Sequence, residues 1–199
     1  GLAALQLDLV GTNSVEDLQA RLRDYAGRPG RAWILGRGWN QELWPTKRFP
    51  TAADLDAVVP ERPVMLERVD GHAVVVNSAA LKAAGITAAT KDPVGGKIER
   101  GSNGNPTGLL IDAASELVSA KVPPPSPVQL AQALEKAQDL LIATGVTATA
   151  DMGTSAADWA VMQKAAADGR LKVRIMSYSA GLKPIETIAR LGPSNWLYE

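Results

Sequence analysis

The stretch SPVQLAQALEKAQDLLIATGVTATADMG, residues 126–153, has the pattern of a helix followed directly by a strand. Ser126, Pro127 and Gln129 take the N-cap, N1 and N3 positions of a capping box. An apolar stripe at helical spacing continues to Gly145, where the small and apolar strand residues begin. The stretch therefore predicts one helix and one strand of an α/β protein.

The same alternation continues towards the end of the sequence. We expect a helix capped by Ser155, a strand over 172–179 and a third helix over 184–192. The order α-β-α-β-α is typical of a parallel α/β barrel or a doubly wound sheet. Its nearly wholly apolar or small strands predict burial on both faces. Because a closed eight-stranded barrel needs about 250 residues, residues 122–199 can supply only part of one.

Residues 1–121 have a different pattern, in which short elements are separated by glycine and proline. This pattern predicts a mixed α/β region. An extended proline-rich segment, 121–127, joins this region to the later one. The pattern predicts strands at 2–10, 32–39, 63–69, 73–78 and 97–100, and helices at 14–25, 51–60, 78–86 and 109–120.

Composition excludes several classes of function. The 199 residues carry 21 Lys plus Arg and 21 Asp plus Glu, so the formal net charge is zero and there is no electrostatic case for nucleic acid or an anionic membrane as partner. No cysteine is present, which excludes disulfides, thiolate metal sites and a cysteine nucleophile, and which fits a reducing compartment. No apolar run reaches the ~18 residues of a membrane span. We expect a cytoplasmic location.

The single histidine of the sequence lies in ERVDGHAVVVNSAAL, residues 67–81. His72 follows an apolar strand, at a place where α/β folds put loops that carry chemistry. Asp70 can orient its imidazole, and Gly71 permits a tight turn between them. A Ser–His–Asp hydrolase that uses Ser78 is a weak alternative, because no G-x-S-x-G motif is present and the three residues crowd one loop. His72 is therefore either a site residue or a structural one.

Other candidates are less specific. Trp39 and Trp44 can line an apolar substrate pocket, but packing in the core explains them equally well. Asp151 ends a strand, a site-like position in a barrel, and it can equally cap the next helix. With one histidine, no cysteine and no H-x-H or H-E-x-x-H pair, a metal would need most of its ligands from outside these residues.

Four segments together resemble amidohydrolase family 3 of the metal-dependent amidohydrolases, which includes enzymes similar to N-substituted formamide deformylase. They are WILGRGWNQELWP, FPTAADLDAVVPERPVMLERVDGHAVVVNSAALKAAGI, NPTGLLIDAA and IATGVTATADMG. The resemblance implies a (β/α)₈ barrel that holds one or two divalent metals, a small β-sandwich, and a long insertion after the first barrel strand. It also implies hydrolysis of an amide-type C–N bond by a metal-activated water.

By this resemblance the fold class is α/β, a partial (β/α)₈ metal-dependent hydrolase barrel with a large α/β insertion. Residues 1–11 would end the first barrel segment, 12–121 would be the insertion, and 122–199 would be the second and third βα units. The family's H-x-H pair is expected before Gly1 and its bridging lysine after Glu199. We therefore expect a fragment without metal ligands, whose divalent metal, zinc by expectation, belongs to the full-length parent, with no cofactor in this chain.

The resemblance also implies roles for individual residues. His72, held by Asp70, would be catalytic and would hydrogen-bond the substrate or the developing oxyanion. Trp39, Asn40 and Asn77 would contact or shape the site of a small-molecule substrate. The fragment is expected to be inactive alone and to associate with itself through exposed barrel edges. The alternative is a non-catalytic α/β binding or assembly module in which His72 is structural.

Overall fold

The computed structural model describes residues 2–28, 32–182 and 185. Their contacts divide the chain into two compact units. One unit consists of residues 6–123, and the other of residues 2–5 together with the described part of 124–199. Within these described ranges, no helix has both the length and the apolar character needed to cross a bilayer.

The first unit is built on a six-stranded sheet with the order β1-β2-β3-β4-β6-β5. β1, β2 and β3 pair in parallel, whereas β4, β6 and β5 join through antiparallel pairs. The carboxyl ends of β1, β2, β3 and β6 and the start of β4 therefore lie at the same edge of the sheet. The strands are Leu7–Asp8 (β1), Ile34–Trp39 (β2), Val64–Arg68 (β3), Ala73–Val76 (β4), Gly96–Arg100 (β5) and Pro106–Asp112 (β6).

Four short helices accompany this sheet: Val15–Ala26 (α1), Ala52–Asp56 (α2), Ser78–Ala84 (α3) and Glu116–Ser119 (α4). Both faces of the sheet are buried, because successive residues of β4 enter two different apolar clusters. Val75 packs in the cluster with Trp39 and Trp44, and Val74 packs in the cluster with Leu110. The sheet whose strand ends meet at this edge is therefore packed against an apolar core on each of its two faces.

Most of the expected elements in this unit are confirmed. The α1 helix begins where Ser14 Oγ accepts the Asp17 N–H at 3.1 Å, and α3 ends at Gly85, whose φ of +70° is the left-handed conformation that glycine favours. The strands expected over 32–39, 63–69, 73–78 and 97–100 are all present.

Two expectations for the segments before residue 121 are wrong. Residues 109–120 do not form one helix, because Leu109–Ile111 pair with β4 and continue β6 to Asp112. A 3₁₀ turn and the short α4 follow. The stretch 2–10 is not one strand either, since Leu2–Leu5 form a 3₁₀ turn and only Leu7–Asp8 pair with β2. For residues 109–120, pairing with a distant strand decided the structure, and local spacing does not record it.

The second unit keeps the helix and strand order that the sequence predicts. It contains Pro127–Ala143 (α5), Ala148–Thr154 (β7), Ala156–Ala167 (α6) and Arg174–Ser179 (β8), and the two strands pair in parallel. The capping box is confirmed, with Ser126 Oγ accepting the Gln129 N–H at 3.3 Å and Gln129 Oε1 accepting the Ser126 N–H at 2.9 Å. The helix expected over 184–192 lies outside the described residues, apart from Ile185.

The strands of the second unit are not buried on both faces, so that expectation is wrong. Met152, Met176 and Tyr178 are 71%, 52% and 47% exposed. Small and apolar strand residues therefore stand on an open face of a two-stranded sheet. On the other face, an open apolar cavity of about 700 Å³ lies among α5, α6 and the two strands.

Candidate functional site

The connection between β3 and β4 places His72 at the edge where the strand ends meet. Gly71 has a φ of +79° and its N–H donates to the Arg68 carbonyl oxygen at 3.0 Å, which closes a tight turn. The Oδ1 atom of Asp70 accepts the backbone N–H of His72 at 3.2 Å, a local side-chain bond typical of aspartate in turns. Asp70 therefore fixes the backbone of His72.

The imidazole of His72 contacts Asp112 rather than Asp70. His72 Nδ1 lies 2.9 Å from Asp112 Oδ1, and these side chains are 74% and 50% exposed. The expectation that Asp70 orients the ring is therefore corrected: Asp70 holds the backbone and Asp112 holds the ring. Sequence reasoning missed Asp112 because it assigned residues 109–120 to a helix, which hid the antiparallel pairing that puts Asp112 opposite His72.

Arg68 links the turn that carries His72 to the segment after β2 through an ion pair and a hydrogen bond. Its Nη1 forms a short ion pair with Asp70 Oδ2, and its Nε donates to Gln41 Oε1 at 2.9 Å. Gln41 is buried, and Arg68 is only 20% exposed. We call these five residues, Gln41, Arg68, Asp70, His72 and Asp112, the His72 cluster.

The charges of the His72 cluster favour the protonated imidazole. The hydrogen bond with Asp112 and the negative charge of that carboxylate raise the pKa of His72 above its ordinary value of 6.5, and the charge of Asp70 adds to this effect. Arg68 acts in the opposite direction. With Nδ1 turned to Asp112, Nε2 makes no hydrogen bond to any described residue. The cluster can therefore offer one N–H, or one lone pair, to a polar molecule at the sheet edge.

Trp39 lies beneath this edge and has no exposed surface. Its indole N–H donates to the Leu66 carbonyl oxygen at 2.8 Å, and its ring packs edge-to-face against Phe49 at 6.3 Å. Trp44 is also buried and donates its indole N–H to the Thr12 carbonyl oxygen at 2.8 Å. Both tryptophans pack in the core, so direct contact of Trp39 with substrate stays a prediction.

The two candidate asparagines differ in exposure. Asn40 is half-buried at the end of β2, and its Oδ1 accepts the Glu42 N–H at 3.1 Å as the cap of a 3₁₀ turn. Asn77 is fully buried and uses both ends of its amide within the protein. Its Oδ1 accepts from the Val64 and Ala80 N–H groups, and its Nδ2 donates to the Val59 and Arg62 carbonyl oxygens. These four bonds occupy the amide group within the protein, and substrate binding by Asn77 stays a prediction.

Ser78 and Asp151, the remaining candidates, have local partners. Ser78 Oγ donates to Asp56 Oδ2 at 2.5 Å, which leaves a Ser78–His72 pair without support. Asp151 Oδ2 accepts from Thr154 Oγ1 at 2.6 Å. Across residues 2–28, 32–182 and 185, no three His, Asp or Glu side chains are grouped so that they could hold a metal ion.

Comparison with known proteins gives a match over nearly the whole chain. The sequence profile described as the amidohydrolase family matches residues 1–196. YtcJ of Bacillus subtilis, which is named as an amidohydrolase, is 45% identical over 138 residues, 69% of this chain and 26% of that protein. The N-substituted formamide deformylase of Arthrobacter pascens is 42% identical over 90 residues, 45% of this chain and 16% of that enzyme.

A solved structure is also similar. The crystal structure of an uncharacterized metal-dependent hydrolase from Pyrococcus horikoshii matches with a TM-score of 0.64 and 21% identity, over 89% of this chain and 34% of that one. At this identity the likeness concerns the fold alone. The chain spans about a quarter of the length of YtcJ.

Proposed function

Because this chain belongs to the amidohydrolase family, we propose that it is part of a hydrolase that cleaves an amide-type C–N bond of a small molecule. The observation that carries the proposal is the family match over residues 1–196. Its similarity to a formamide deformylase supports an amide substrate. The His72 cluster supports the placement of a substrate-contacting group at the edge of the six-stranded sheet.

We propose a divalent metal, zinc, in the whole protein. Such an ion would activate a water molecule and polarise the substrate carbonyl group. The described residues provide no set of three ligands for it. No step of the reaction is therefore assigned to a metal on this chain.

His72 is proposed to donate a hydrogen bond from Nε2 to the carbonyl oxygen of the substrate, where negative charge develops during attack by water. An imidazolium is suited to this role, because a charged donor forms a stronger hydrogen bond with an oxyanion than a neutral one does. Asp70 fixes the His72 backbone through its bond to the N–H group.

The other candidates are proposed to contribute in two ways. Asn40 lies at the sheet edge with a half-buried side chain, so it can contact the substrate directly. Trp39 and Asn77 are buried, and they are proposed to shape the substrate site from the interior by holding β2 and β3 in place.

For the fold, we propose that residues 122–199 are the second and third βα units of an incomplete (β/α)₈ barrel, with 12–121 as an insertion and 1–11 as the end of the first barrel segment. The parallel pairing of β7 and β8, joined through α6, supports this assignment. The open face of these strands supports self-association of the chain when it is expressed by itself. A cytoplasmic location stays a prediction.

The function is tested by turnover in the full-length protein. We expect purified protein to release amine from N-substituted formamides or simple acyl amides, to lose this activity with a chelator, and to regain it with added Zn²⁺. The 199-residue chain alone should release no amine and retain no stoichiometric zinc. A metal-loaded full-length protein that hydrolyses none of these amides would favour a binding or assembly module with a structural His72.

A further inference from the structure

The backbone of Asp112 has a conformation that side chains rarely adopt. Its φ is +48° and its ψ is −125°, at the point where β6 ends. Lys47 is the other residue in the described ranges that combines a positive φ with a side chain. Glycine would take this conformation without steric strain. When the surrounding structure holds a residue in such a strained backbone conformation, the strain points to a function for that residue.

The Asp112 carboxylate does not perform the structural role that its position offers. Asp112 precedes the 3₁₀ turn Ala113–Ser115, where an aspartate ordinarily accepts a backbone N–H from the turn, but it makes no such bond. Within the part of the chain that the structure describes, the hydrogen bonding of the Asp112 carboxylate is confined to His72 Nδ1, at 2.9 Å. The carboxylate is therefore used for the ring of His72 and not for the turn that follows it.

Hydrogen bonds fix the backbones on both sides of this contact. The register of β4 and β6 pairs Ala73 with Ile111, which brings His72 and Asp112 opposite each other. The Asp112 N–H donates to the His72 carbonyl oxygen at 2.9 Å, and the His72 N–H donates to Asp70. The relative position of the two side chains is thus set by paired strands.

We propose that Asp112 is a positioning residue that holds the Nδ1 edge of the His72 imidazole and thereby presents Nε2 to the carbonyl group of the amide substrate. The inference rests on the proposed hydrolase function and adds a residue and an atom assignment to it. Nδ1–H donates to Asp112, so Nε2 is the nitrogen available for the substrate. Among the described residues, the other charged groups that act on the ring are Asp70, which favours the imidazolium, and Arg68, which disfavours it.

Nuclear magnetic resonance tests this proposal on the 199-residue chain. Because His72 is the only histidine in the sequence, its imidazole signals need no assignment by mutation. We expect Asp112→Asn to lower the titration midpoint of His72, Asp70→Asn to lower it less, and Asp24→Asn to leave it unchanged. Asp24 is the matched control, since its carboxylate pairs with Arg28 on the protein surface. An unchanged midpoint in Asp112→Asn would overturn the proposal.

A second variant separates positioning from folding. Asp112→Gly removes the carboxylate and introduces glycine, the residue that adopts a positive φ without strain. We expect it to melt no lower than Asp112→Asn while it shows the same lowered His72 midpoint. A large loss of stability in Asp112→Gly with an unchanged midpoint would assign Asp112 a structural role instead.

Activity of the full-length protein distinguishes failure of the inference from failure of the proposed function. We expect Asp112→Asn to lower kcat/KM by about 100-fold and to shift its pH profile to lower pH. Wild-type turnover with an unaltered Asp112→Asn pH profile would overturn the positioning role alone. Absence of amide turnover in the wild type, with the midpoint shift present, would overturn the hydrolase function and support the ring contact.

Discussion

Replacement of Asn77 by alanine tests whether this residue holds the fold. Asn77 is completely buried, and its amide group joins three parts of the first unit. Oδ1 accepts the Val64 and Ala80 N–H groups, each at 3.0 Å. Nδ2 donates to the carbonyl oxygens of Val59 at 2.7 Å and Arg62 at 2.9 Å. Asn77→Ala removes all four hydrogen bonds and leaves their backbone partners unpaired.

The expected loss in the free energy of unfolding is large. At about 1 kcal/mol net for each hydrogen bond, four bonds amount to about 4 kcal/mol. A domain of this size has a total stability of ~5–15 kcal/mol, so the variant would keep only part of it. With a urea m-value of about 2 kcal/mol/M, the unfolding midpoint should fall by about 2 M.

Urea unfolding followed by tryptophan fluorescence measures this loss, because the buried Trp39 and Trp44 report on the unit that contains Asn77. Asn40→Ala is the matched control, because it is the same chemical change at a half-buried N-cap whose side chain makes one hydrogen bond. Its free energy of unfolding should fall by only about 0.5–1 kcal/mol. Equal midpoints for the two variants would refute the structural account of Asn77.

Three further results are expected. Gly108→Ala should have a free energy of unfolding about 1–3 kcal/mol lower than that of Gly104→Ala. Both glycines have a positive φ, but only at Gly108 would a Cβ clash with the Val76 carbonyl oxygen, so equal urea midpoints for the two variants would contradict this. Since the pKa of His72 is raised in the folded chain, the stabilisation from its proton is present below pH 6.5 and is lost as pH rises through the folded pKa. Asp112→Asn should therefore show a smaller difference in Tm across this range than the wild type, and identical differences would argue against the pair. Light scattering of the isolated chain should show association that increases with concentration, whereas a monomer at every concentration would count against exposed barrel edges.

The sequence predicted those elements whose signals are local. The capping box at Ser126 and the glycine at Gly85 mark helix ends by side-chain chemistry and by backbone freedom, and both are present. The strand Pro106–Asp112 was missed because its apolar residues also fit a helical spacing. Its pairing with β4 is a contact between distant parts of the chain that no local pattern contains.

The site was predicted only in part for the same reason. His72 stands out as the single histidine, and the Asp-Gly pair before it signals a turn. Asp112, forty residues away, became its ring partner through strand register. The side chains of Trp39 and Asn77 look available in the sequence, but packing on both faces of the sheet buries them.

The proposed contact between His72 and the substrate is tested most directly by measuring kcat/KM for amide hydrolysis in the full-length His72→Ala variant. Its Tm is measured in parallel. His72 is exposed, and among the described residues its ring hydrogen-bonds Asp112 alone, so its removal should lower Tm only by the small amount that this exposed pair contributes. Loss of one hydrogen-bond donor to the developing oxyanion should lower kcat/KM by about 10²–10³-fold. An unchanged kcat/KM, or a loss that follows a lowered Tm, would contradict a substrate-contacting role for His72.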